Sequence, residues 1–230
     1  MKTVLTVICV VLLGAAGARA AERIFVSGGP ALLYFEKYKV SVHDKHWGNF
    51  IDVPVLRYAQ IKNTIAPGDQ VTWLVYRPAY VRRGKEDNAN YIAAIRAKAA
   101  QINANLVWFD DTCGLIDYLN KGQDRGKVKI AHIEFFCHSN MLCFMFDYSN
   151  TLDGGGPATG MLHQNDLKKI NRDVFAKKAY AKSWGCHSGE SYSIVWQETF
   201  GFPMIGAIGK TDYSRGAIPH ISTPDGKWYP

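Results

Sequence analysis

Ala179-Tyr-Ala-Lys-Ser-Trp-Gly-Cys186-His-Ser-Gly-Glu-Ser191 reads as a short buried strand, a turn and the start of a helix. Ala179 to Trp184 suits a sheet, and Gly185 and Gly189 permit sharp turns. From Glu190 to Phe200 the apolar residues Ile194, Val195 and Phe200 fall at helical intervals. Folds of the α/β class place their chemistry outside the carboxyl edge of the sheet. A helix N-terminus there favours a thiolate over a thiol. Cys186 is therefore the candidate nucleophile, and the rest of the chain is read for groups that would serve it.

Working outward, strand and helix patterns alternate. Val71 to Tyr76 is a continuous apolar, β-branched and aromatic run, as a strand buried on both faces requires. Asn90 to Asn103 is helical, with Ile92, Ile95, Ala99 and Ile102 at three- and four-residue steps. Leu106 to Phe109 is a strand. Asp111 or Thr112 then caps a helix that turns Leu115, Ile116 and Leu119 inward. Val128 to Phe136 is the next strand and ends at Cys137-His138-Ser139-Asn140. Asn165 opens a helix through Leu167, Ile170 and Val174, and Met204 to Ile208 is the last strand. Ile24 to Ser27 reads as an edge strand, followed by a helical stretch after Asp44 that Pro54 kinks or splits. Arg77 to Asn88, Phe144 to Gly160 and most of Thr211 to Pro230 read as loop. The alternation predicts an α/β fold: a mostly parallel sheet of about five to six strands with helices on both faces, because each parallel crossover is a helix. No repeat or linker divides residues 21–230, which read as one domain.

Residues 1–20 read separately, as a secretory signal peptide. Lys2 gives a positive start, Val4 to Leu13 an apolar stretch and Ala18-Arg19-Ala20 a cleavage site, so cleavage is expected after Ala20. The run is too short for a membrane span, and no later stretch is long enough. Removal of Lys2 and Arg19 lowers the formal charge from +7 to +5. Lys and Arg are scattered, so no nucleic-acid partner is expected. Four cysteines follow the signal: Cys113, Cys137, Cys143 and Cys186. Their even number in an exported chain allows a disulfide among the first three, Cys137–Cys143 included.

His138 and Cys186 each directly follow a strand. If those strands are parallel neighbours, both residues emerge at one sheet edge. A Cys–His pair supports acyl transfer, because the imidazole takes the thiol proton and the thiolate attacks a carbonyl. Backbone N–H groups at the Gly185–Cys186 turn and near Ser139 are candidate oxyanion donors. His187 is the rival base, but adjacent side chains of extended chain point to opposite faces. His132 lies within a strand and reads as a sheet contact. Other motifs fail on spacing. Gly185-x-x-x-Gly189 has His187, not Ser, at its centre. The Cys-His pairs lack metal-ligand spacing, and the glycines at 154–156 lack the Lys-Ser/Thr of a phosphate loop.

Gly185-Cys186-His187-Ser188-Gly189 after an apolar strand resembles the cysteine motif of metacaspases, and His138-Ser139 resembles the histidine motif of caspase-like cysteine peptidases. The two lie 48 residues apart, close to the roughly 50 of caspases. The resemblance covers residues 70–210. It implies a caspase–haemoglobinase fold with Cys186 as nucleophile and His138 as base, acting on a peptide or protein substrate without a cofactor. Two positions depart from the pattern. Trp184 replaces the acid that metacaspases use to bind a basic side chain, and Ser139 replaces a glycine. Substrate-pocket candidates are Trp184, Asp147, Asp153, Glu190 and Asp212. The alternative expectation is a caspase-like binding domain with a weak or vestigial site.

Overall fold

The structure is a computed structural model that describes residues 20–30, 45–148, 160–214 and 216–229. In chain order it runs β1 (Ala21–Ser27), α1 (Asn49–Ile61), β2 (Gln70–Tyr76), α2 (Arg77–Glu86), α3 (Tyr91–Gln101), β3 (Asn105–Phe109), α4 (Thr112–Lys121) and β4 (Lys129–Phe136). Three short strands follow: β5 (His138–Ser139), β6 (Cys143–Met145) and β7 (Met161–His163). The chain continues through β8 (Phe175–Ser183), α5 (Ser191–Phe200), β9 (Met204–Ile208), β10 (Thr211–Asp212), β11 (His220–Ile221) and β12 (Lys227–Tyr229). The central sheet has seven strands in the order β12-β9-β8-β4-β1-β2-β3. Every neighbouring pair is parallel except β12 on β9.

The fold is thus α/β with a mostly parallel sheet, as expected, but wider at one side and deeper at its centre. β1 is no edge strand; it lies between β2 and β4. Its polar residues obscured this. Glu22 is fully buried, yet its carboxylate accepts bonds from Thr72 Oγ1 (2.6 Å), Tyr118 OH (2.7 Å) and Arg125 Nη1 (2.5 Å). A buried charge is tolerable only with such partners. The seventh strand, β12, comes from the tail read as irregular.

Successive strand residues feed two cores, as the period of two requires. Ile24, Val26, Leu74, Tyr76, Ile133 and Phe135 pack with α4 and α5 on one face. Phe25, Trp73, Val75 and Phe136 pack with α1 and α3 on the other. Asp111 caps α4 by accepting the Gly114 N–H at 2.7 Å, and Leu115, Ile116 and Leu119 are buried as predicted.

Three local expectations are corrected. Pro54 does not split the first helix into separate elements; it is buried inside the 13-residue α1. A proline leaves the carbonyl four residues earlier without its helical donor. That carbonyl, Phe50 O, instead accepts the Ser27 hydroxyl at 2.7 Å. Residues 77–86 form α2, not a loop. Pro78 sits in its first turn, where a missing N–H costs nothing, and Ala79, Tyr80, Arg83 and Gly84 turn inward. The segment after Asn165 makes two 3-10 turns, Gln164–Lys169 and Arg172–Val174, in place of an α-helix.

α2 also decides where a site can open. Doubly wound sheets bind ligands where strand order reverses, here between β1 and β4. That position is filled. A Cβ on Gly29 would lie 2.0 Å from Ala79 Cβ, and Tyr80 OH donates to Gly28 O at 2.8 Å. The next strand ends along the carboxyl edge, those of β4 and β8, carry His138 and Cys186.

Candidate active site

β4 and β8 are adjacent and parallel, with Phe135 opposite Ser183. Beyond the paired residues, the Trp184 N–H donates to Phe135 O (2.9 Å) and Ser139 Oγ donates to Cys186 O (2.6 Å). The two strand ends are therefore tied across the position where the sequence places its pair. Gly185 permits the approach: a Cβ there would sit 2.1 Å from Ser139 Oγ and 2.8 Å from Cys137 O. Its role is closeness, and the left-handed residue of the turn is His187, at φ +57°.

The His138 ring is packed between Phe50 (centroids 4.8 Å, edge-on) and Tyr148 (4.7 Å, tilted), and Phe50 is itself edge-on to Tyr213 at 4.8 Å. Aromatic packing of this kind holds an imidazole in one orientation. The chain of support runs from the Ser27 hydroxyl through the Phe50 backbone to His138.

The Cys186 sulfur lies against Thr211. The Thr211 N–H donates to Sγ at 3.4 Å, and Thr211 Oγ1 lies 3.6 Å from it. The expected helix terminus is further off, because α5 begins at Ser191 after a turn. The hydrogen-bond donor at the sulfur thus comes from the strand after β9. Among the described residues the Cys186 N–H has no acceptor, whereas the Gly185 N–H already donates to Ser183 Oγ at 3.2 Å. Of the Gly185–Cys186 pair it is therefore Cys186 whose amide is left open. Ser139 contributes as the anchor of the Cys186 carbonyl.

The rival base does not sit in extended chain, and a carboxylate engages one of its two ring nitrogens. His187 lies in a turn; its Nδ1 is 2.7 Å from Glu190 Oε1, and Glu190 also accepts the Gly209 N–H at 3.3 Å. His132 is a sheet contact as expected, buried with Nε2 2.6 Å from Glu134 Oε1 and stacked on Tyr180.

The pocket candidates are not brought together. Trp184 is buried, and its indole N–H donates inward to Glu134 Oε2 at 2.6 Å. Asp147 is 1 % exposed and accepts Tyr76 OH (3.0 Å) and Arg82 Nη2 (2.5 Å), which makes it a structural ion pair and corrects its reading as a pocket acid. Glu190 is held by His187. Asp212 accepts the Ser214 hydroxyl at 3.0 Å, beside Thr211. Asp153 lies outside the described residues, as do the glycines at 154–156.

Behind Trp184 lies a cluster that the sequence does not announce. Glu134, fully buried, accepts Arg57 Nε at 2.9 and 3.0 Å as well as His132 and Trp184. Burial raises its carboxyl, but the His132 hydrogen bond and charge, the Arg57 charge and the Trp184 hydrogen bond together outweigh burial and hold it below its ordinary value. Lys182 covers the cluster, with Nζ 3.6 Å from the centroid of the Trp184 ring and 4.1 Å from that of Trp228. Burial pulls its pKa down to about 8 against the opposing pull of Glu134.

The four described cysteines are free thiols, so Cys137 and Cys143 are not bridged. Burial pushes the Cys137 thiol well above its ordinary value and raises that of Cys143. Both are poor nucleophiles on that ground. Cys186 is half-buried and Cys113 exposed.

Sequence reasoning missed Thr211, Phe50 and Glu134. One signal was available for Thr211: it follows the Met204–Ile208 strand run and so reaches the same carboxyl edge as Cys186. Among the described residues no helix is long and apolar enough to cross a membrane, and no cluster of three or more His, Cys, Asp or Glu could hold a metal ion. No family model, curated protein or solved structure matches this chain.

Proposed function

We propose that this chain is an exported caspase-like cysteine peptidase. The observation that carries the reading is the linkage of adjacent parallel strand ends, which puts His138 and Cys186 on one edge with the Cys186 carbonyl fixed by Ser139. In the proposed reaction His138 takes the Cys186 proton and the sulfur attacks the peptide carbonyl. The oxyanion forms within reach of the open Cys186 N–H, where a preorganised donor is worth most. His138 then returns the proton to the leaving amine. Water, deprotonated by the same imidazole, releases the acyl group from the thioester. Export is part of the proposal. Cleavage after Ala20 would leave the new ammonium group at Ala21 N, 3.1 Å from Asp69 Oδ1, where a carboxylate already waits.

One observation favours the second reading, a binding domain with a vestigial site. Trp184 fills the position of the metacaspase acid and faces inward. The two readings separate on a mixed peptide library digested by the wild type and by Cys186→Ala. The peptidase reading expects cleavage by the wild type, loss of at least about 10³-fold in the variant, and a thioester-linked acyl-enzyme on Cys186 by mass spectrometry. No turnover by the correctly folded wild type would favour the binding domain.

A further inference from the structure

Thr211 opens β10, directly after the turn that follows β9. Four contacts converge on it. Its N–H donates to Cys186 Sγ at 3.4 Å, its hydroxyl donates to Trp184 O at 2.9 Å, Oγ1 lies 3.6 Å from Sγ, and its carbonyl accepts the thiol proton at 3.7 Å until that proton leaves. A threonine hydroxyl has a single proton. With that proton on the Trp184 carbonyl, the hydroxyl ties β10 to the strand segment that leads into Cys186. The segment is held from its far side too: Lys210 N–H donates to Thr223 Oγ1 (2.7 Å), Ser222 N–H to Lys210 O (2.9 Å), and Thr211 pairs with Ile221. A donor fixed in place before the charge appears stabilises it without reorganisation, and a hydrogen bond to an ionised acceptor is roughly twice as strong as a neutral one.

We propose that Thr211 is the positioning residue of the nucleophile: its hydroxyl, anchored on the Trp184 carbonyl, keeps its own N–H on the Cys186 sulfur, so that the N–H holds the negative charge when the thiol proton leaves. The inference rests on the reading of Cys186 as nucleophile. Other ionisable groups lie on the elements around the sulfur. Cys137 and Tyr213 interact with Cys186 electrostatically; His138 heads β5, the His187–Glu190 pair belongs to the turn, and Lys210 and Asp212 flank Thr211 in the chain. Burial pushes the Cys137 thiol and the Tyr213 hydroxyl upward, so both stay neutral across the range tested.

The test uses Thr211→Val, which removes the hydroxyl at nearly constant shape, and Thr211→Ser, which keeps it. Alkylation of Cys186 by iodoacetamide is followed by mass spectrometry from pH 5 to 9. The valine variant is expected to label about tenfold more slowly at pH 6, the effect of displacing the profile by about one pH unit, with the gap narrowing as pH rises. The serine variant is expected to restore the wild-type profile. A general loosening of the fold would speed labelling at every pH instead. A second measurement needs no Thr211 variant: in ¹⁵N-labelled wild-type protein the Thr211 amide resonance should move as Cys186 ionises, and should stay still in Cys186→Ala. It decides the matter if the valine variant fails to fold. Fast wild-type labelling with an unchanged valine profile and a motionless amide would overturn the role of Thr211 and leave the peptidase reading intact. Wild-type labelling of Cys186 no faster than of Cys113 would overturn both.

Discussion

Asp147 shows how one side chain changes meaning once its partners are known. In the sequence it is an acid between two motifs; in the fold it is buried against Tyr76 and Arg82. The carboxylate is buried while the Arg82 side chain is 37 % exposed, so the loss falls on the buried hydrogen bonds rather than on a stranded charge. Asp147→Asn is therefore expected to cost about 2 kcal/mol of stability, read as a lowered midpoint in urea unfolding at unchanged slope. Glu190 is the contrast. Its pair with His187 has side chains 26 % and 37 % exposed, and Glu190→Gln should cost less than about 1 kcal/mol in the same measurement. Equal losses from the two variants would contradict the structural assignment of Asp147. His138 and Cys186 are legible as a pair because each directly follows an apolar run, and strand direction then fixes their edge. Thr211 is not legible as the neighbour of the sulfur, since its contact depends on how the chain turns after β9.

At the scale of elements, α1 and the Glu134 cluster each carry a prediction. Ser27 donates to the carbonyl that Pro54 leaves open and also accepts the Trp73 indole N–H at 2.8 Å. Ser27→Ala strands both groups in a buried position and is expected to cost about 2 kcal/mol. In a Pro54→Ala background the new N–H can take the Phe50 carbonyl, so the same substitution should cost measurably less. Additive costs in that double-mutant cycle would rule out the compensation. Glu134 governs acid behaviour. Its folded-state pKa lies below the ordinary 4.5, so the stability it contributes is fully present above that value and drains as pH falls through the lower, folded one. Glu134→Gln should be less stable than the wild type by about 3 kcal/mol at pH 7, and the gap should narrow on acidification below pH 4.5. A gap that widens with acid would contradict the ion-paired carboxylate. Neither feature is readable along the chain: Ser27 meets Phe50 across 23 residues and Arg57 meets Glu134 across 77. α2 escaped notice for a related reason, since its arginines read as loop until their carboxylate partners Asp87 and Asp147 are known.

For the whole molecule, strand–helix alternation suffices to predict a parallel sheet covered on both faces, because few connections between parallel strands are physically available. It does not suffice for strand order. The central place of β1 depends on the buried Glu22–Arg125 pair, and the last strand is three residues long. That order matters for the proposed function, since Ala79 and Tyr80 pack against Gly28 and Gly29 at the β1–β4 crevice while the adjacent β4 and β8 ends lead into His138 and Cys186. The reading of that edge stands or falls on whether His138 activates Cys186. The most direct measurement is alkylation of the folded, reduced protein with iodoacetamide from pH 5 to 8, with each modified cysteine mapped by mass spectrometry in the wild type and in His138→Ala. Labelling of Cys186 well ahead of the exposed Cys113 below pH 7, slowed about tenfold or more by the substitution, is the expected result. Labelling of Cys186 at the rate of Cys113, or at a rate indifferent to His138, would contradict the thiolate–imidazole pair.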